Sequence, residues 1–228
     1  MNVVIFGASG MIGMGVLLEL LDRTEITRVL SVGRRRIAVD HPRAEAELEQ
    51  IVHEDFEDFE PLASAFEGLD ACLWCLGTAS GGMDEATYTR ITHDFTMAAA
   101  KVLHARSPGL RFCFVSGAGT DDTEQGRAMW ARVKGKTENA LRRVGFGDVV
   151  LFRPAFIRPM RGTSPRGALY RTMYAVMGVF YPLLRAFGGA TSTVEVGRAM
   201  IAAAMGKAEA KVLDSRAINA LAATLPSA

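Results

Sequence analysis

The segment Val3-Val4-Ile5-Phe6-Gly7-Ala8-Ser9-Gly10-Met11-Ile12-Gly13 constrains this chain more than any other. Four apolar residues read as a short buried strand. Glycines at three-residue spacing then break it, and apolar residues at helical spacing run from Ile12 to Leu21. A glycine trio alone is weak evidence. One that leaves a strand and opens a helix is the setting in which helix N-terminal amides cradle a pyrophosphate. Gly7 permits the tight turn, Gly10 lets a ligand approach without a Cβ in the way, and Gly13 lets helix and strand pack closely. Ser9, Met11 and Ile12 complete the turn that would hold the phosphates. The competing reading is a glycine turn with no ligand.

Apolar runs and helical patterns alternate along the rest of the chain, which implies βαβ units and a parallel sheet. Strands are expected at Arg28–Val32, Gln50–His53, Ala71–Leu76, Arg111–Ser116 and Asp148–Arg153, and helices at Glu60–Glu67, Glu85–Ala105 and Glu124–Val144. The fold class is α/β, a Rossmann-type doubly wound parallel sheet with a small C-terminal cap region. A length of 228 residues, 49% of them hydrophobic, suits one large α/β unit with a sizeable core. Residues 1–153 form the nucleotide-binding domain in this reading and 154–193 a substrate or cap region. Residues 194–228 return to the main body through a helix at Val194–Met205 and end in a loose tail from Thr224.

The second strand runs into Arg34-Arg35-Arg36, where an NAD-preferring site carries an acid for the ribose hydroxyls. Guanidinium groups there suit the 2′-phosphate of NADP(H); three solvated loop arginines are the alternative. Asp55, after the third strand, is placed to accept the adenine amino group. Leu76, Gly77 and Thr78 end the fourth strand, where a small residue lets a dinucleotide cross.

Net charge of +1 gives no polyelectrolyte signal for nucleic acid. Charge is uneven, however. Residues 44–70 carry ten acids without Lys or Arg, and residues 149–194 carry Arg153, Arg158, Arg161, Arg166, Arg171 and Arg185 without an acid. The arginines are solvated side chains in one reading and a site for a substrate carboxylate or phosphate in the other. Cys72, Cys75 and Cys113 sit in apolar segments, pointing to a reducing compartment without disulfides. Cys72 and Cys75 face opposite ways along a strand, and the four histidines show no ligand spacing, so no metal is expected. The N-terminus lacks the basic region of a signal peptide, and a cytoplasmic location is expected. Residues 168–189 are strongly apolar but are interrupted by Arg171, Pro182 and Arg185. They read as a helix pair over a cleft rather than a membrane contact.

Taken in order, GASGMIG, VGRRR, HEDF, CLGT, RITHDFTMAAAKVL, FVSGAG, WARVKGKTE and LFRPAFIRP resemble an atypical short-chain dehydrogenase/reductase of the small NAD(P)H-binding, epimerase-like branch, over nearly the whole chain. The resemblance implies a seven-stranded or similar sheet and a Ser, Tyr and Lys for catalysis, the last two as Y-x-x-x-K. The matching residues here are Ser116, Trp130 and Lys134. Lys134 would hold the nicotinamide ribose and Ser116 would orient a carbonyl. Pro154 and Ile157 would lie beside the nicotinamide. An indole cannot exchange a proton as a phenol does. Three readings stay open. The proton comes from another group, such as Tyr88, Tyr170, Tyr174 or water; the pocket runs a different reaction on an unknown small molecule; or the chain binds NADP(H) without turnover, as a regulator or scaffold for a protein partner. The helices at 85–105 and 124–144 are a candidate homodimer interface.

Overall fold

The computed structural model describes residues 1–164, 178 and 180–225. Its main sheet has seven strands. These are β1 (Asn2–Phe6), β2 (Arg28–Gly33), β3 (Leu48–Val52), β4 (Ala71–Trp74), β5 (Arg111–Val115), β6 (Asp148–Arg153) and β9 (Val212–Asp214). They lie in the order β3-β2-β1-β4-β5-β6-β9, and every pairing is parallel. Strand order reverses between β1 and β4, so a crevice opens beyond their carboxyl ends, where doubly wound sheets bind ligands. A second sheet of two short parallel strands, β7 (Phe156–Arg158) and β8 (Ala190–Ser192), follows β6.

Parallel strands buried on both faces need apolar residues at every position, and β1 shows how they divide. Val3 and Ile5 join a core with Leu17, Leu20, Val196 and Met200, from α1 (Met11–Leu21) and α7 (Thr193–Ala204). Val4 and Phe6 face the other way, into a core with Trp74, Phe112, Leu103 and Leu141. Leu103 lies on α4 (Phe95–Arg106) and Leu141 on α5 (Met129–Val144). Cys72 belongs to the second core while Cys75 packs against the first, the opposed facing expected of that pair.

Several expected boundaries shift, each for a local reason. The helix expected from Glu124 starts at Met129, because the Asp121 carboxylate accepts the amides of Thr123, Gln125 and Gly126 at 3.1, 3.0 and 2.6 Å and fixes those residues as a loop. The helix expected over 85–105 is three pieces: α3 (Glu85–Thr89), a π-helical turn at Arg90–Asp94, then α4. Asp84 caps α3 by accepting the amide and hydroxyl of Thr87 at 2.9 and 2.7 Å. Glu60–Phe66 is a 3₁₀ helix. A four-residue helix, α2 (Ala44–Glu47), precedes β3.

The C-terminal region holds more structure than the sequence reading gave it: β7, β8, α6 (Tyr181–Ala186), β9 and α8 (Ser215–Ala222). Leu225 is buried, so the expected loose tail is packed at least that far. The α1 and α7 helices cross closely. A Cβ on Gly15 would lie 2.6 Å from Thr193 Cβ, and one on Gly197 would lie 2.9 Å from Glu19 Cγ. The buried Glu19 carboxylate accepts from Arg161 and Arg198 at 2.9 and 3.0 Å, tying α1 to both the β7–β8 lobe and α7. Among the described residues, no helix is long and apolar enough to cross a membrane.

Candidate functional site

Two cavities sit at the carboxyl edge of the sheet and abut at Gly77 and Thr78. The first, about 510 Å³, is lined by the turn residues Gly7, Ser9 and Gly10, by Gly33, Arg34 and Arg35 beyond β2, and by Leu76 and Gly77 beyond β4. The second, about 400 Å³, brings together Thr78, Tyr88, Ser116, Trp130, Pro154 and Ile157.

The turn is shaped as its glycines require. Gly7 has φ +80°, and a Cβ on it would lie 2.6 Å from the backbone at Cys75–Leu76. A Cβ on Gly13 would lie 2.2 Å from the Gly7 carbonyl oxygen. The Gly10 amide donates to that same oxygen at 2.9 Å, so Gly10 contributes an unobstructed rim rather than a donor. Helix α1 opens at Met11 with no side-chain cap and no acid in its first turn. Its N-terminal amides, those of Met11, Ile12 and Gly13, are thus left for an anion, and the helix dipole favours one.

Arg34 and Arg35 are exposed, and no ion pair or hydrogen bond engages them among the described residues. That contrasts with Arg28, Arg43, Arg90, Arg132, Arg153 and Arg198, each held by a carboxylate. A dinucleotide fits this set: bare helix amides for the pyrophosphate, and free guanidiniums beside the β2 end of the cavity for the ribose side. Asp55 does not reach it. Its carboxylate accepts the Glu57 amide at 2.9 Å, and Glu54 and Phe56 line the cavity instead.

In the second cavity, Ser116 directly follows β5 and is buried. Its hydroxyl lies 2.9 Å from that of Thr120, which donates to the Gly117 carbonyl at 2.8 Å. Trp130, in the first turn of α5, lays its indole against Gly117 and Gly119; a Cβ on Gly119 would lie 3.4 Å from the ring. Lys134, one turn on, places Nζ 3.4 Å from the Val115 carbonyl and 5.7 Å from the Phe114 ring centre. Burial pulls its pKa from 10.5 down to about 8, against the attraction of Glu138. Burial also raises the Tyr88 phenol, and the Thr92 hydroxyl lowers it by less.

Sequence reasoning missed Glu138. This fully buried carboxylate takes Arg153 in a two-pronged grip, Nε at 3.0 Å and a terminal nitrogen at 2.6 Å, and so anchors α5 to the end of β6 just before Pro154. Its spacing of four from Lys134 was the available signal. Thr120 had no such signal. The arginines read either as solvated side chains or as a site for a substrate anion are engaged within the protein where they are described: Arg158 stacks 4.9 Å over Tyr181, Arg161 pairs with Glu19 and Asp22, and Arg185 with Glu195. Arg166, Arg171, Tyr170 and Tyr174 lie outside the described residues. No cluster of His, Cys, Asp or Glu among the described residues is placed to hold a metal ion.

A doubly wound parallel sheet with a glycine-turn cavity at its reversal point, beside a second cavity that brings Ser116 and Trp130 together, has the layout of a dinucleotide-binding protein. The sequence profile of the NAD(P)H-binding family matches residues 7–167, and the chain belongs to that family. It is 28% identical to protein HTATIP2 of Rattus norvegicus over 221 residues, covering 95% of this chain and 87% of the relative. It is 29% identical to the mitochondrial protein FMP52 of Eremothecium gossypii over 230 residues, covering 97% of each. Among solved structures, the enzyme WbmH of Bordetella bronchiseptica in complex with NAD⁺ superposes with a TM-score of 0.65 at 17% identity, over 93% of this chain and 74% of that one. That likeness concerns the fold.

Proposed function

We propose that the chain is an NADP(H)-dependent reductase of small carbonyl compounds. The observation that carries the reading is the pair Arg34 and Arg35, exposed on the first cavity with no carboxylate engaged, where the 2′-phosphate of the adenosine ribose would lie. The helix-α1 amides would bind the pyrophosphate and Lys134 the nicotinamide ribose, directing the ring toward the second cavity. The nicotinamide, when bound, supplies hydride chemistry at its C4. The described residues of the second cavity carry no charged side chain, which favours an uncharged substrate. Ser116 would hold its carbonyl oxygen. Three free cysteines, two of them fully buried, fit a reducing compartment, and cytoplasmic residence belongs to this reading; the FMP52 relatives are named mitochondrial.

Trp130 favours a second reading, a non-catalytic NADP(H)-binding regulator, because it removes the usual phenol. Titration calorimetry with NADPH and NADH, followed by NADPH oxidation with a panel of aldehydes and ketones, separates the two. Tight NADPH binding with turnover supports the reductase. Tight binding without turnover on any carbonyl supports the regulator. Equal or stronger binding of NADH removes the 2′-phosphate assignment.

A further inference from the structure

We infer that Tyr88 is the proton donor of this site, doing from the α3–α4 side what a phenol four residues before the lysine does in related chains. The inference rests on the reductase reading above. At the position four residues before Lys134 the chain offers only an indole N–H, a donor that does not titrate. A tyrosine nevertheless borders the second cavity. Tyr88 lines it together with Ser116 and Trp130, and it is the only acid–base side chain among its described lining residues.

Local structure accounts for its placement. Asp84 caps α3, and the Tyr88 amide donates to the Asp84 carbonyl at 3.1 Å, which fixes the first turn. Tyr88 sits on the inward face at the end of α3. Directly after it the backbone widens into the π-helical turn at Arg90–Asp94 before α4 continues. Such turns shift the register of one helical face and recur at functional sites. The ring is 2% exposed, so it is held by packing rather than by solvent, and its χ angles are restricted.

The step balances. A bound nicotinamide would supply hydride to the substrate's carbonyl carbon, and the C=O π pair would move to oxygen. The O–H bond of Tyr88 breaks and its proton joins that oxygen, giving an alcohol. The carbonyl would gain two electrons, which the reduced nicotinamide would supply, and water would return a proton to the tyrosinate. Burial, which holds the phenol protonated through neutral pH, keeps Tyr88 in the acid form this direction needs. Ser116, whose hydroxyl is already linked to Thr120, would orient the oxygen rather than supply the proton.

The test uses the full chain with 4-nitrobenzaldehyde as the carbonyl probe, read in two ways. With NADP⁺ saturating, quenching of tryptophan fluorescence, with Trp130 on the cavity wall and Trp74 sealed in the core, reports entry of the probe into the cavity. Tyr88→Phe is expected to weaken that binding about tenfold, the value of one lost hydrogen bond. With NADPH, Tyr88→Phe is expected to slow oxidation at least 100-fold while leaving the NADPH dissociation constant unchanged. Adding Trp130→Tyr to Tyr88→Phe restores a phenol to the cavity and is expected to recover part of the rate. Unchanged quenching, or turnover retained in Tyr88→Phe, overturns the role of Tyr88. Absence of NADPH oxidation by the wild type with every carbonyl tried overturns the reductase reading beneath it.

Discussion

Replacing Lys134 with Met should make the protein more stable and a poorer binder at once. The lysine stem runs into the core side of α5, and burial lowers the ammonium from 10.5 to about 8. At roughly 1.4 kcal/mol per pH unit that is a penalty of about 3 kcal/mol at neutral pH. Partial exposure of the side chain and the lost 3.4 Å contact to the Val115 carbonyl reduce the net gain to about 1–2 kcal/mol. Met matches the stem's length, favours helix, and offers its sulfur to the Phe114 ring. For a chain of this size the gain is a rise of about 3–6 °C in melting temperature. The sign follows from linkage. Below about pH 8 both states carry the proton and the penalty is full. Between about 8 and 10.5 the unfolded chain binds more protons, so wild-type stability climbs with pH and its gap to Lys134→Met closes. Thermal melts from pH 6.5 to 10, paired with NADPH titrations, read both effects; affinity should fall at least about tenfold as the ribose contact goes. A Lys134→Met protein that melts lower than the wild type, or a gap that ignores pH, would refute the buried-ammonium argument.

Arg34→Ala with Arg35→Ala should raise the NADPH dissociation constant roughly 10- to 100-fold at low salt, leave NADH unchanged, and lose much of that contrast in 0.5 M salt on screening grounds; calorimetry at two salt concentrations measures it. Gly13→Ala places a methyl carbon 2.2 Å from the rigid Gly7 carbonyl, so urea unfolding should show a loss of about 3 kcal/mol, and nucleotide should no longer raise the melting temperature. Glu138→Gln puts a neutral amide in the buried grip and leaves Arg153 only the exposed Asp122 carboxylate at 3.7 Å, and a loss of about 3 kcal/mol in the same unfolding assay is expected.

The strands of the nucleotide half were legible because burial on both faces writes continuous apolar runs such as Val3–Phe6 and Phe112–Val115. The glycine turn was legible because backbone approach leaves no other residue type at Gly7 and Gly13. The late start of α5 was not, since it depends on one carboxylate, Asp121, capturing three amides, and the intervening residues have unremarkable helix propensity. Strand β9 has three residues, too few to show any period, and its place beside β6 is set by tertiary pairing. At the site, residues tied to backbone geometry were readable. Side-chain reach was harder to read: the Asp55 carboxylate turns to its own loop, while Glu54 and Phe56 line the cavity.

Glu19 links the two ends of the polypeptide in a way that bears on more than packing. The helix whose first amides would receive a pyrophosphate is gripped at its far end by Arg161 and Arg198, both from the last third of the chain. An anion that binds those amides more tightly when the far end of the rod is gripped favours that grip, and the reverse holds by thermodynamic reciprocity. Loading with dinucleotide should therefore slow amide hydrogen exchange in Thr193–Ala204, far in sequence from the phosphate turn.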